Sequence, residues 1–212
     1  MKHVVLFSGG LDSTLVLMNT LYNLPPKSKL IAYTVDYDQT NKIEIERAKQ
    51  IIDLLNANLP VKIEHRITKL TLPKIQYDDY VVYPLRNIVI ATYIAAQAID
   101  NGDDKIKLYL GINGTDAARF QDCRADVLKD LRILLESFNV DLITPLLAYE
   151  KNSDNYVHLV YRFSLNPIFK DVLRLTYSCY AGTEPPCNTC VACNLRNAVL
   201  RKLKEQYGIE LT

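Results

Sequence analysis

The segment from Val4 to Ser13 constrains this chain more than any other. Val4-Val5-Leu6-Phe7 runs straight into Ser8-Gly9-Gly10-Leu11-Asp12-Ser13, and a helical apolar period follows. A short continuous apolar run reads as a strand buried on both faces, the pattern of a parallel sheet. The glycines permit a tight turn in which backbone N–H groups can approach an anion. The helix start beyond adds free N–H donors and a partial positive charge. Ser8 and Ser13 add hydroxyls. This spacing is neither the dinucleotide fingerprint nor the lysine-bearing phosphate loop. A glycine turn with a serine cap would explain isolated glycines, but not this whole order directly after a first strand.

The alternation continues. Leu15, Met18, Leu21 and Tyr22 predict one face of a helix that Pro25-Pro26 stops. Leu30 to Val35 predicts a second strand ending at Asp36. Glu44 to Asn56 predicts a helix with Ala48, Ile51, Ile52 and Leu55 inward, and Val61 to His65 a third strand. A polar loop around Tyr77-Asp78-Asp79 leads to an apolar helix from Asn87 to Ile99, and Lys107 to Leu110 gives a fourth strand ending at Gly111. Strand–helix alternation is the signature of an α/β domain with a parallel sheet and helices on both faces. Ligands bind such sheets at the carboxyl ends of the strands, where the loops starting at Ser8, Asp36 and Gly111 lie. Further helices are expected over Asp126 to Phe138, Asn155 to Arg162, from Pro167 after an Asn166 cap, and over Cys193 to Tyr207. With no linker in sight, residues 1–212 read as one domain.

A chain of 212 residues with a formal net charge of +1 gives no electrostatic reason to expect nucleic acid as main partner. Neither a signal peptide nor an apolar span is visible, so no membrane is expected and the location expected is cytoplasmic. Of five cysteines, Cys179, Cys187, Cys190 and Cys193 cluster near the C-terminus. In a reducing compartment such clustering points to metal, and four thiolates suit a closed tetrahedral structural zinc site in segment 179–193. An iron–sulfur cluster also takes four cysteines, and unliganded thiols are the plain alternative. Cys123 stands apart. His3, His65 and His158 have no metal-ligand spacing, and His65 reads as structural.

Arg86 could pair with an anionic ligand; alone, it would read as a surface ion pair, with Asn87 as a helix cap. Asp116, Arg119, Asp122 and Arg124 crowd the stretch after the fourth strand, which ion pairs on a solvated loop would also explain. Lys151, following Leu146 to Glu150, could be a substrate contact, although a lone lysine is commonly solvated.

The order Ser-Gly-Gly-x-Asp-Ser at Ser8 to Ser13 resembles the pyrophosphate-binding loop of the ATP pyrophosphatase superfamily. Taken with Asp36-Tyr37 and Gln39, Pro84-x-Arg86-Asn87, Gly111, Thr115-Asp116, Asp122-Cys123-Arg124, Thr144-Pro145-Leu146, Lys151 and Cys179 through Cys193-Asn194-Leu195-Arg196, the chain is similar to the 7-cyano-7-deazaguanine synthases. The resemblance implies a Rossmann-like sheet of the adenine nucleotide alpha hydrolase type, with a C-terminal helical zinc-binding part, and a homodimer. It implies ATP with Mg2+ and structural Zn2+, and a ligase that adenylates 7-carboxy-7-deazaguanine and uses ammonia to form the amide and then the nitrile.

By position, Ser8, Gly9, Gly10, Leu11, Asp12, Ser13, Asp36, Arg86 and Asn87 would hold the nucleotide. Asp116, Asp122, Arg124 and Lys151 would serve catalysis, and Cys179, Cys187, Cys190 and Cys193 the metal. The chain departs from that pattern at Asp38 and Asn188, where glycine is usual, at Asn41 for histidine, at Gly114 for glutamate and at Ala118 to Gln121. The loop between His65 and Arg86 also looks short. Alternatives are a divergent ligase that stops at the amide or couples the acid to another amine, one on a protein included; a tRNA-thiolation enzyme; or a binding module that has lost catalysis.

Overall fold

The computed structural model describes residues 1–76, 81–99 and 105–211; the expected polar loop at Tyr77-Asp78-Asp79 lies outside them. The main sheet has five parallel strands: β1 (Lys2–Leu6), β2 (Lys29–Asp36), β3 (Ile63–Lys69), β6 (Ile106–Tyr109) and β7 (Val140–Ile143). Between β3 and β6 a small antiparallel ribbon pairs β4 (Ile75–Gln76) with β5 (Val81–Val82). The order β3-β2-β1-β6-β7 puts the reversal of winding between β1 and β6. Such a switch point opens a crevice at the carboxyl ends of its strands.

Side-chain alternation divides the core. Val5, Phe7, Leu30 and Ala32 face one layer with α1 (Leu11–Tyr22), α2 (Ile43–Asn58), α6 (Asp154–Ser164), α7 (Pro167–Leu175) and α8 (Val191–Tyr207). Val4, Ile31, Tyr33 and Leu108 face the other, with α3 (Arg86–Ala98) and α5 (Ala125–Glu136). Each such aliphatic side chain, wholly withdrawn from water, contributes about 1.5–3 kcal/mol. The two layers thereby fix the strand edge on which the site is built.

The local reading holds for most elements, with shifted ends. α3 begins at Arg86 after Leu85, which sits in the left-handed region at φ 54°, so Asn87 is not the cap. β3 continues to Lys69. Tyr22, expected on the inner face of α1, is 76% exposed. Strand β7 escapes the sequence reading: it has four residues, and only Val140 and Leu142 are buried. That alternation is too brief to register as a period. The short helix α4 (Gly114–Arg119) escapes as well, since it buries none of its residues fully.

Candidate functional site

The phosphate-type loop spans the end of β1 and the start of α1. Gly9 has φ +81°, and a Cβ there would stand 2.6 Å from the Glu44 carbonyl oxygen and 2.8 Å from the Ala48 nitrogen. Only glycine permits this left-handed turn and lets the loop lie directly on α2. Inside the loop, the Gly10 amide donates to Ser8 Oγ at 3.2 Å, and Ser13 Oγ donates to the Gly10 carbonyl at 3.1 Å. Gly10 occupies the cap position of α1, and no side chain covers the first turn. The first-turn N–H groups therefore face the crevice as anion donors.

Asp12, in that first turn, is a meeting point. Its Oδ1 accepts the Tyr156 hydroxyl at 2.6 Å and Asn113 Nδ2 at 3.1 Å, and its Oδ2 accepts the Lys151 ammonium. Lys151 is buried, and its backbone N–H donates to Thr115 Oγ1 at 3.0 Å. Four elements thus converge on one carboxylate: α1, the loop after β6, the loop after β7, and α6. Lys151 is no solvated surface lysine. Asn113 caps α4 in a reciprocal box with Asp116, whose carboxyl is pushed up by burial and by Asp12.

The other end of the crevice is built around Arg86. Its guanidinium lies over the Tyr37 ring, 5.9 Å from the centroid, with a long contact of 3.4 Å to the Tyr37 hydroxyl. Burial pushes the Tyr37 phenol up to about 12, so it stays a neutral donor. Tyr83 meets Tyr37 edge-on at 5.0 Å. Arg86 makes no ion pair among the described residues, which removes its reading as a surface pair. Asp122 does not answer it directly, because Asp122 Oδ2 accepts both the Asn87 backbone N–H (2.8 Å) and Asn87 Nδ2 (3.0 Å). Asp122 therefore acts as the missing cap of α3, and Asn87 is held by it. Arg124 stands apart at the surface, paired with Asp126 at 2.9 Å. Asp36 closes β2, where its Oδ1 accepts the Asp38 backbone N–H at 3.1 Å.

Two departures from the family pattern have a physical reading. Asp38 and Asn188 both adopt positive φ, 60° and 57°. Glycine is the usual occupant of such positions, and Asp and Asn are the side chains that best tolerate them. The backbone is thus retained without glycine. Gly114 differs: a Cβ there would meet the Tyr149 carbonyl oxygen at 3.1 Å and the Leu147 carbonyl oxygen at 3.3 Å. The turn after β7 has closed over the place where a glutamate would emerge.

Glu44, on the first turn of α2, is a residue that sequence reasoning passed over. Its carboxyl accepts Gln39 Nε2 at 3.2 Å and Asn41 Nδ2 at 2.9 Å, and burial raises its pKa from 4.5 to about 7. An acid in a first helical turn is ordinarily solvated, so no local signal marks it. Because the folded value stands above the unfolded one, folding takes up a proton between these pH values. The resulting stability is complete below about pH 4.5 and is lost as pH rises through about 7. Glu44→Gln is therefore expected to match the wild type at pH 4.5 and to exceed it by about 1–3 kcal/mol at pH 8.5. Urea unfolding at both pH values measures this; an equal difference at both would refute it.

The four cysteines fold around a point. Their Sγ atoms lie within 4.8 Å of one another, and Cys187 and Cys193 Sγ are 3.9 Å apart. A tetrahedral zinc with bonds of about 2.3 Å places its sulfurs at about 3.8 Å. The donors thus fit one ion, and a cluster of several irons would hold its thiolates wider apart. Backbone N–H groups of Cys187 and Cys190 point at Cys179 and Cys187 sulfurs, both at 3.4 Å. Cys123 is remote from this centre; it is buried beside Asn87 and Asp122, and its thiol is pushed up to about 12. His65 is structural: its Nε2 bonds Thr34 Oγ1 at 2.9 Å.

A parallel sheet with helices on both faces, a glycine loop at its switch point and a metal-competent cysteine quartet define a Rossmann-like α/β protein. The chain belongs to the QueC family, described as queuosine biosynthesis protein QueC, whose model matches residues 2–204. It is 30% identical to the 7-cyano-7-deazaguanine synthase of Clostridium novyi (strain NT), covering 97% of this chain and 96% of that one. It is 31% identical to the 7-cyano-7-deazaguanine synthase of Chromobacterium violaceum, covering 92% and 87%. Among solved structures, the U34-tRNA thiolase NcsA of Methanococcus maripaludis, with its [4Fe-4S] cluster, superposes with a TM-score of 0.49 at 20% identity, over 98% of this chain and 67% of that one.

Proposed function

We propose that this chain is an ATP-dependent carbon–nitrogen ligase that adenylates 7-carboxy-7-deazaguanine and, with ammonia, forms the amide and then 7-cyano-7-deazaguanine. The observation that carries the reading is the crevice itself. It has a glycine loop with uncovered first-turn amides at one end and, at the other, the half-buried Arg86 guanidinium with no ion pair among the described residues. The loop amides, Ser8 and Ser13 would hold the terminal phosphates, and the Lys151 ammonium, fixed by Asp12, would stand beside them. Arg86 would take the substrate carboxylate, against the aromatic wall of Tyr37 and Tyr83. Magnesium carried in with the nucleotide would neutralise charge building on the phosphates.

A carboxylate oxygen then attacks the α-phosphate and pyrophosphate leaves. Ammonia attacks the acyl carbon, AMP leaves, and the excess proton passes to a base in the crevice. The amide oxygen then attacks the α-phosphate of a second ATP, pyrophosphate leaves, and loss of AMP, with the two amide protons passing to base, leaves the nitrile. Asp116, raised by burial and set between the two ends, suits that proton transfer. Zinc in the Cys179, Cys187, Cys190 and Cys193 quartet would be structural, since four protein ligands leave no open position. The homodimer is part of the proposal. The cytoplasmic location is too; no helix among the described residues is long and apolar enough to cross a membrane.

Gly114 favours a second reading. A position without a side chain, roofed by Leu147 and Tyr149, supplies no carboxylate to read the substrate edge. A relative that stops at the amide, or joins the acid to another amine (one on a protein included), fits that loss. Thiolation is disfavoured, since a buried Cys123 thiol held up to about 12 is protonated and a poor nucleophile. Mass spectrometry of the protein with ATP, magnesium, 7-carboxy-7-deazaguanine and ammonium decides. Nitrile with AMP supports the synthase, amide alone supports the second reading, and absence of both products and AMP overturns the choice of acid or the catalysis.

A further inference from the structure

Arg196 belongs to the Cys193-Asn194-Leu195-Arg196 block, and no role described so far uses it. It lies on α8, one turn beyond Cys193. The residue keeps some accessible surface, yet its guanidinium is packed deeply enough that desolvation dominates its environment. Its hydrogen bond goes to Thr176 Oγ1, a hydroxyl whose own proton is given to the Leu173 carbonyl at 2.7 Å. It has no ion pair among the described residues. The charged or polar groups that act on it are Tyr156, Cys193 and Asp12, and the Asp12 carboxylate already holds Lys151, Tyr156 and Asn113.

The next residue, Tyr177, fixes where this cation stands. The Tyr177 N–H donates to the Gly9 carbonyl at 3.0 Å, and a Cβ on Gly10 would be 3.4 Å from the Tyr177 carbonyl oxygen. Thr176, which holds the guanidinium, thus directly precedes the residue that touches the phosphate loop from the side of the cysteine quartet, while Lys151 approaches Asp12 from the side of β7. A half-buried guanidinium with no ion pair of its own is poorly hydrated and is completed by an anion placed beside it. The loop beside it is a ready anion cradle.

We propose that Arg196 binds the pyrophosphate end of the nucleotide, the β- and γ-phosphates that become the leaving group. This rests on the adenylation reading above. A planar fork can reach two phosphate oxygens at once, and it leaves the α-phosphate to the crevice between Lys151 and Arg86. The competing role is service to the metal, as a counter-charge to the thiolates. No hydrogen bond joins Arg196 to a cysteine sulfur among the described residues, and the sulfur contacts made by Cys187, Cys190 and Cys193 come from backbone N–H groups.

The test is isothermal titration of the full metal-loaded chain with inorganic pyrophosphate, α,β-methylene-ATP and AMP, alongside metal content. Arg196→Met is expected to weaken pyrophosphate and the ATP analogue by about 10–100-fold and to leave AMP within about twofold. Arg196→Lys, which keeps the charge without the fork, is expected to lose about 3–10-fold and to hold its metal. Unchanged pyrophosphate affinity in Arg196→Met overturns the inference, as does an equal loss for AMP. So does loss of metal in Arg196→Met with wild-type pyrophosphate affinity in Arg196→Lys, the pattern of a metal-serving cation. If the wild-type chain binds neither pyrophosphate nor the ATP analogue, the adenylation reading itself falls.

Discussion

Asp12→Ala is expected to abolish AMP release and also to cost about 3–5 kcal/mol of folding stability. Read from sequence alone, Asp12 is a ligand contact whose loss would leave the fold intact. The structure adds a second consequence. Asp12 Oδ2 balances the Lys151 ammonium, and the two side chains are only 17% and 9% exposed. Removing the carboxylate strands a buried cation and leaves the Tyr156 hydroxyl and Asn113 Nδ2 without their acceptor. An uncompensated buried charge costs far more than the pair it came from contributes.

The double variant Asp12→Ala/Lys151→Met separates the two effects. It should regain much of the lost stability, because no charge is left unpaired, while AMP formation stays absent. Urea unfolding and chromatography of AMP read the two quantities independently. Equal stability of the single and double variants would refute the buried-pair account. Near-normal AMP release from Asp12→Ala would refute the phosphate-loop account.

That contrast shows what the sequence could and could not convey. Val4 to Ser13 was legible because strand, turn and helix start are adjacent, and each has a local chemical reason for its residues. The cysteine quartet was legible on the same ground, since its ligands fall between 179 and 193. Lys151 and Tyr156 lie 139 and 144 residues from Asp12, and only the sheet order brings them together. Burial of charge is a tertiary property, so the elevated Glu44 carboxyl and the half-buried, unpaired Arg196 carry no local mark. By sequence Asp122 is one of several loop charges; its capping of α3 reaches across 35 residues and has no local signature. At Gly114 the missing side chain was visible in the sequence, but the closed turn that fills its place was not.

Cys190→Ser is expected to lose the bound metal and to lower the melting temperature more than any other single change to the cysteines' surroundings. Structural zinc bound by four thiolates contributes its binding free energy to folding, on the order of 10 kcal/mol for small metal-folded units. Here the surrounding core retains part of the structure, so a fall of several kcal/mol is the expected scale. The loss should also travel. Tyr177 packs with Cys179 and Cys193 and, through its backbone, holds the Gly9 carbonyl at 3.0 Å, and Arg47 of α2 pairs with Glu184 of the cysteine loop. With the quartet loosened, amide exchange should accelerate over Gly9 to Ser13 as well as over residues 179–193, while β6 and α5 on the opposite layer keep their protection. Cys123→Ser, remote from the metal, should leave metal content unchanged. Zinc analysis, calorimetry and hydrogen exchange measure the three effects. Unaltered stability in a chain shown to have lost its metal would mean that the quartet does not support the fold. Faster exchange confined to residues 179–193 would mean that the metal stabilises its own loop and leaves the phosphate loop independent.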